Sequence, residues 1–174
     1  MHTASTDQVQ GILRAFRRVA WPAGRRAALQ LAVDCGWTVR RDGPRSVRYV
    51  TSLGTNDDIA NALVRPDDAD GSLLDVTVHV SDYAADDAPG LDRAYGAVVA
   101  AVQVELGSPV HVDDRAAHPR TVWDLDGGGR VAVQRLSAIV VLKLLSLEVA
   151  DLERTEKLLG IDPGRIPGTG HEDL

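Results

Sequence analysis

The stretch LLDVTVHV, residues 73–80, sets Leu74, Val76, Val78 and Val80 against Asp75, Thr77 and His79. Successive side chains of an extended strand point to opposite faces, so strict alternation makes one face apolar and leaves the other wet. A half-buried strand needs neighbours to pair with and an apolar layer to cover its dry face. The rest of the chain must supply both.

Helices come first. Val9, Ile12, Leu13 and Phe16 fall at helical spacing, and Ser5 with Gln8 has the spacing of a capping box, which predicts a helix over 6–19. Trp21-Pro22 interrupts it, and a second helix runs to Cys35 and stops at Gly36. Leu91, Tyr95, Val98, Val99, Val102 and Leu106 trace one stripe of a third helix, started by Pro89 and ended by Gly107 and Pro109. A closing helix over 147–159 turns Val149, Leu152 and Leu159 inward, pairs Glu153 with Lys157, and ends at Gly160.

Strands fill the intervals. WTVRR and SVRYVTSL flank the turn residues Asp42-Gly43-Pro44 as a hairpin, and three more strands are expected over 121–126, 130–136 and 138–145. Residues 57–64 fit a short helix capped by Asn56 or a further strand, and spacing does not decide between them. The resulting order, ααββ(β)βαβββα, is an α+β plan: an antiparallel sheet packed on one side by helices. At 174 residues this is a single domain, 1–174, with a flexible polar tail from about residue 163.

Composition bounds the function. Hydrophobic residues make up 44% and charged ones 25%, the balance of a chain that folds. The longest apolar run, Leu136 to Leu147, contains Lys143 and falls short of the roughly 20 residues a spanning helix needs, so no membrane partner is expected. MHTASTDQVQ lacks the basic start and apolar stretch of a secretion signal, which predicts a cytoplasmic protein. The single cysteine, Cys35, has no metal-ligand neighbour and reads as a core residue.

The net charge of −6 hides two blocks. Between Arg14 and Arg48 nine arginines face two aspartates; between Asp57 and Asp92 ten aspartates face one arginine. The basic block, with Trp37 and Tyr49 available to stack on bases, is the whole case for nucleic acid, and the overall charge opposes it. The acidic block is the candidate partner-binding surface: Asp67, Asp68 and Asp70 in one loop and Asp82, Asp86 and Asp87 in another, flanking the strand 73–80, would steer a basic protein partner.

No reactive centre is legible, so the chain reads as a non-enzyme with no cofactor and no metal. In TVWDLDGGGRVAVQRL, residues 121–136, the segment VWDLDG is similar to the strand-end motif of haloacid-dehalogenase phosphatases, but the chain departs from that motif at Gly128. The phosphate-cradling loop lacks its lysine, and the calcium loop lacks its closing glutamate. Asp126-Gly127-Gly128-Gly129 is instead a tight hairpin turn, with Trp123 and Leu125 facing one side and Val131 and Val133 as partners. His79 stands alone, and His111 and His118 belong to a solvated loop.

The text VWDLDGGGRVAVQRLSAIVVLKLLSLEVADLERTEKLLGI, with AFRRVAWP and DCGW upstream, resembles an uncharacterised actinobacterial family of small cytoplasmic proteins, a domain of unknown function. The plan is also loosely similar to immunity proteins of polymorphic toxin systems and to secretion chaperones. Together with the acidic block and the absence of catalytic groupings, the resemblance leads to the expectation of a non-catalytic protein-binding module, monomer or homodimer, that neutralises a cognate toxin. A chaperone of an exported partner is one alternative, and a small-molecule enzyme of unknown reaction is another.

Overall fold

The computed structural model describes residues 1–66, 70–114 and 118–160. Asp67 and Asp68, the tail and the expected Glu153–Lys157 pair lie outside the described residues.

Helices α1 (Thr6–Arg17) and α2 (Arg25–Cys35) lead into strands β1 (Thr38–Gly43), β2 (Ser46–Val50), β3 (Ile59–Arg65) and β4 (Ser72–His79). Helix α3 (Ala88–Leu106) then crosses to β5 (His111–Asp113), β6 (Arg120–Asp124), β7 (Arg130–Arg135) and β8 (Val140–Leu145), and α4 (Leu147–Leu158) closes the chain. The undecided segment 57–64 is strand from Ile59 onward, as part of β3. The three-residue β5 falls inside the stretch read as a loop.

The eight strands form one antiparallel sheet in the order β1-β2-β3-β4-β8-β7-β6-β5. Each half is a four-stranded meander, and the two meet where β4 pairs with β8. Sheet and helices together make an α+β fold, with the alternating strand β4 at the centre of the sheet.

Alternation assigns the faces. Val47, Tyr49, Ala60, Ala62, Val64, Val76, Val78, Leu142, Leu144, Val131, Val133 and Trp123 are buried in one cluster with Leu13, Phe16, Leu31, Leu91 and Val98 of α1, α2 and α3. The Tyr49 hydroxyl donates to the Ala28 carbonyl at 3.0 Å and the Trp123 indole to the Gly107 carbonyl at 3.0 Å, so each large polar-tipped side chain finds a partner in this dry layer. Trp37, expected as a stacking surface, is buried at 5.5 Å from the Tyr49 ring, and neither is open to a base.

Local signals set the ends of elements. The Ser5–Gln8 capping box forms in both directions, and Gly36 ends α2 at φ 67. The hairpin between β6 and β7 turns through Gly128 at φ 93, and a Cβ on Gly129 would stand 2.6 Å from the Trp21 indole nitrogen. The glycines thus reverse the chain and admit Trp21 against the turn.

Helix α4 lies on the other face of the sheet. Its sheetward side is Ala150, Glu153 and Arg154, three and four residues apart. Leu152 and Leu159, expected inward, are 58% and 70% exposed, and Val149 is half-buried. The expectation followed apolar spacing, whereas the helix docks on ion pairs.

Candidate functional site: a groove between α4 and the β5–β6 edge

On the face that α4 crosses, Arg120, Val122 and Asp124 of β6 stand beside Gln134, Ala132 and Arg130 of β7. Val122, Ala132, Leu145 and Ala150 are buried there, apart from the main core, and form the apolar seat of the helix. Above it Glu153 binds Arg120 at 2.7 Å and Arg130 at 3.2 Å, while Asp124 binds Arg130 at 2.8 Å and Arg154 at 3.0 Å; Arg154 also pairs with Asp151. Burial alone would push the Asp124 carboxyl up, but the hydrogen bonds and charges of Arg130 and Arg154 outweigh it and hold the group below the usual carboxylate range.

A cavity of about 530 Å³ opens beside this network. Its apolar wall is Val110, Val122 and Leu158, and its polar floor includes His111 and the paired charges. Val110 is 53% and Leu158 87% exposed, so apolar side chains flank a charged floor whose partners are already engaged. β5, the last strand of the sheet, runs along the same groove.

The described candidate acidic residues stand outside this groove. Asp70 sits before β4, 3.7 Å from Arg26, and its carbonyl accepts from the Arg25 amide. Asp82, Asp86 and Asp87 lie beyond the other end of the same eight-residue strand, so the described members form two separate groups. Asp82 accepts from the His2 amide at 2.6 Å and the Asn56 amide at 2.8 Å; these bonds, that to His2 foremost, hold its carboxyl below the ordinary value. Asp87 caps α3 through the Gly90 amide, and Asp86 is exposed.

Much of the acidic block has the same kind of internal task. Asp58 gathers the amides of Leu53, Gly54 and Thr55, Asp57 pairs with His79 at 2.9 Å, and Asp92 binds Arg135 at 2.7 Å. At the sheet centre Asp75 is pushed up and Lys143 down, in each case first by burial, and each partly offsets the other's shift. Burial, with Asp34 beside it, pushes the Cys35 thiol up to about 12, the state of an inert thiol.

Among the described residues no three histidine, cysteine or carboxylate side chains gather as a metal site, and no helix is long and apolar enough to cross a membrane. Sequence reasoning missed Val110, Leu158, Arg120, Glu153 and Arg154. Only the arginines carried a signal: Arg120 and Arg130 occupy the polar positions of strands that meet at one hairpin.

A family model matches residues 7–146, four-fifths of the chain, described as a family of unknown function, DUF6301. The chain belongs to this family. No curated protein and no solved structure matches it. The family's span ends one residue before α4, so the groove joins β6 and β7, inside that span, to a helix beyond it.

Proposed function

We propose that this DUF6301 chain is a non-catalytic, cytoplasmic protein-binding module that occludes a cognate toxin, as an immunity protein does, and that its partner docks in the groove between α4 and β5. The observation that carries the reading is the pairing of an exposed apolar rim, Val110 and Leu158, with a floor of arginines and carboxylates already engaged with one another. Exposed apolar side chains mark a surface that a partner covers, and polar groups already paired with one another can be covered without stranding a charge. A groove carboxylate held down by two guanidinium groups, as Asp124 is, makes a poor general acid at neutral pH, which favours binding over proton transfer. An edge strand beside the groove offers backbone groups to an extended segment of the partner.

The test is co-expression with the product of the adjacent gene. A one-to-one complex and restored growth are expected, both lost in Leu158→Asp and Val110→Asp variants whose thermal unfolding is unchanged. Binding without restored growth would favour the secretion-chaperone role. Turnover of a small metabolite with no complex would favour the enzyme and end the proposal.

A further inference from the structure

The other end of the same sheet face holds a second cavity, of about 620 Å³, lined by Arg40, Arg41, Arg48, Tyr49, Ile59 and Asn61. Its construction is local. The pairing of β1 with β2 slips between Val39 and Arg41, a bulge that leaves Arg40 without a cross-strand mate and turns it to the same cavity as Arg41. Arg41 then stands directly opposite Arg48, and Arg48 directly opposite Asn61 on β3.

Two features of this bay are costly for the chain alone. Like charges directly opposite one another on adjacent strands repel. None of the three arginines has a hydrogen bond or ion pair among the described residues, although acidic residues are abundant elsewhere in the chain. The Asn61 side-chain oxygen is buried with no partner among the described residues, so an acceptor also goes unused. An anion that also carries an O–H or N–H donor answers both.

We infer that this bay binds a diphosphate-bearing small molecule. Guanidinium groups present paired donors that match phosphate oxygens. A single phosphate monoester brings a charge of about −1.5 to −2, less than three arginines neutralise, and two linked phosphates match them better. The volume lies within the roughly 300–1,000 Å³ of small-molecule sites, leaving room for an organic moiety against Ile59 with its hydroxyl or amine on Asn61. The site is independent of the α4 groove and of its partner.

The test is calorimetric titration of the full chain with inorganic pyrophosphate and with ADP. One-to-one binding that weakens with salt is expected, reduced at least about tenfold by Arg48→Ala and by Arg41→Glu, as loss of one charge-assisted fork requires, and unchanged by Arg14→Ala. Arg41→Glu replaces the like-charge pair with an opposite one, so its thermal midpoint should rise while binding falls, which separates loss of the site from loss of the fold. No binding of either anion at ~1 mM, or binding that survives Arg41→Glu, overturns the inference. Affinity for oligothymidylate that grows with length and exceeds that for ADP overturns it in favour of a nucleic-acid backbone, and binding of a glutamate-rich peptide alone overturns it in favour of an acidic protein segment.

Discussion

The two ends of one sheet face use the same residue in opposite ways. Beneath α4, Arg120 and Arg130 are 14% and 11% exposed and each meets a carboxylate of the helix, and Arg154 answers from above. Across β1–β3, Arg40, Arg41 and Arg48 are exposed and have no hydrogen bond or ion pair among the described residues. Arginine under a helix is part of the scaffold there, because withdrawing it from water requires a partner for every charge. Arginine on the uncovered end is held ready for something outside the chain.

The largest expected effect breaks the first half of that contrast. Glu153→Ala leaves Arg120 and Arg130 with one fewer carboxylate in a half-closed setting, and should destabilise the fold by about 3 kcal/mol in urea unfolding. An unchanged midpoint would mean that the network is ornamental and that α4 rests on Ala150 alone.

A smaller effect follows from pH. The Asp124 carboxyl is held below its unfolded value of about 3.9, so its contribution to stability is complete above that value and is lost as pH falls through its lower folded value. At 37% exposure the contribution is below about 1 kcal/mol. Asp124→Asn should therefore be less stable than the parent at pH 6, with the gap closing toward pH 2. A gap independent of pH would assign the loss to packing.

Arg41→Glu, the smallest of the three, should stabilise the ligand-free protein by about 0.5 kcal/mol, because it relieves the cross-strand repulsion with Arg48. Destabilisation would show that the arginines already balance one another through partners in the chain.

How much of this was legible in the sequence depends on the range of each interaction. The capping box at Ser5 and Gln8, the stop at Gly36 and the hairpin at Asp126–Gly129 are local chemistry and read directly. The strand 73–80 read correctly from Val76 onward, but Leu73 is buried and Leu74 only half-buried. A pairing irregularity in β3, between Leu63 and Val64, lies opposite them and shifts the phase. The pairing of β4 with β8, across more than sixty residues, leaves no local mark.

The site was harder for the same reason. Glu153 looked like a helix-surface charge because its partners, Arg120 and Arg130, are brought to it only by the sheet. The aspartates were counted as one acidic block, yet Asp58, Asp82 and Asp87 spend their oxygens on backbone amides of this chain. Charge counting sees the sign of a residue and not the amide or guanidinium beside it.

The division of the sheet face is tested most directly by amide chemical-shift mapping with inorganic pyrophosphate. The account predicts saturable shifts confined to β1, β2 and β3 around residues 39–42, 47–50 and 59–61, with β6, β7 and α4 unmoved. Shifts centred on Arg120, Arg130 and Arg154, or spread evenly over every arginine, would contradict it.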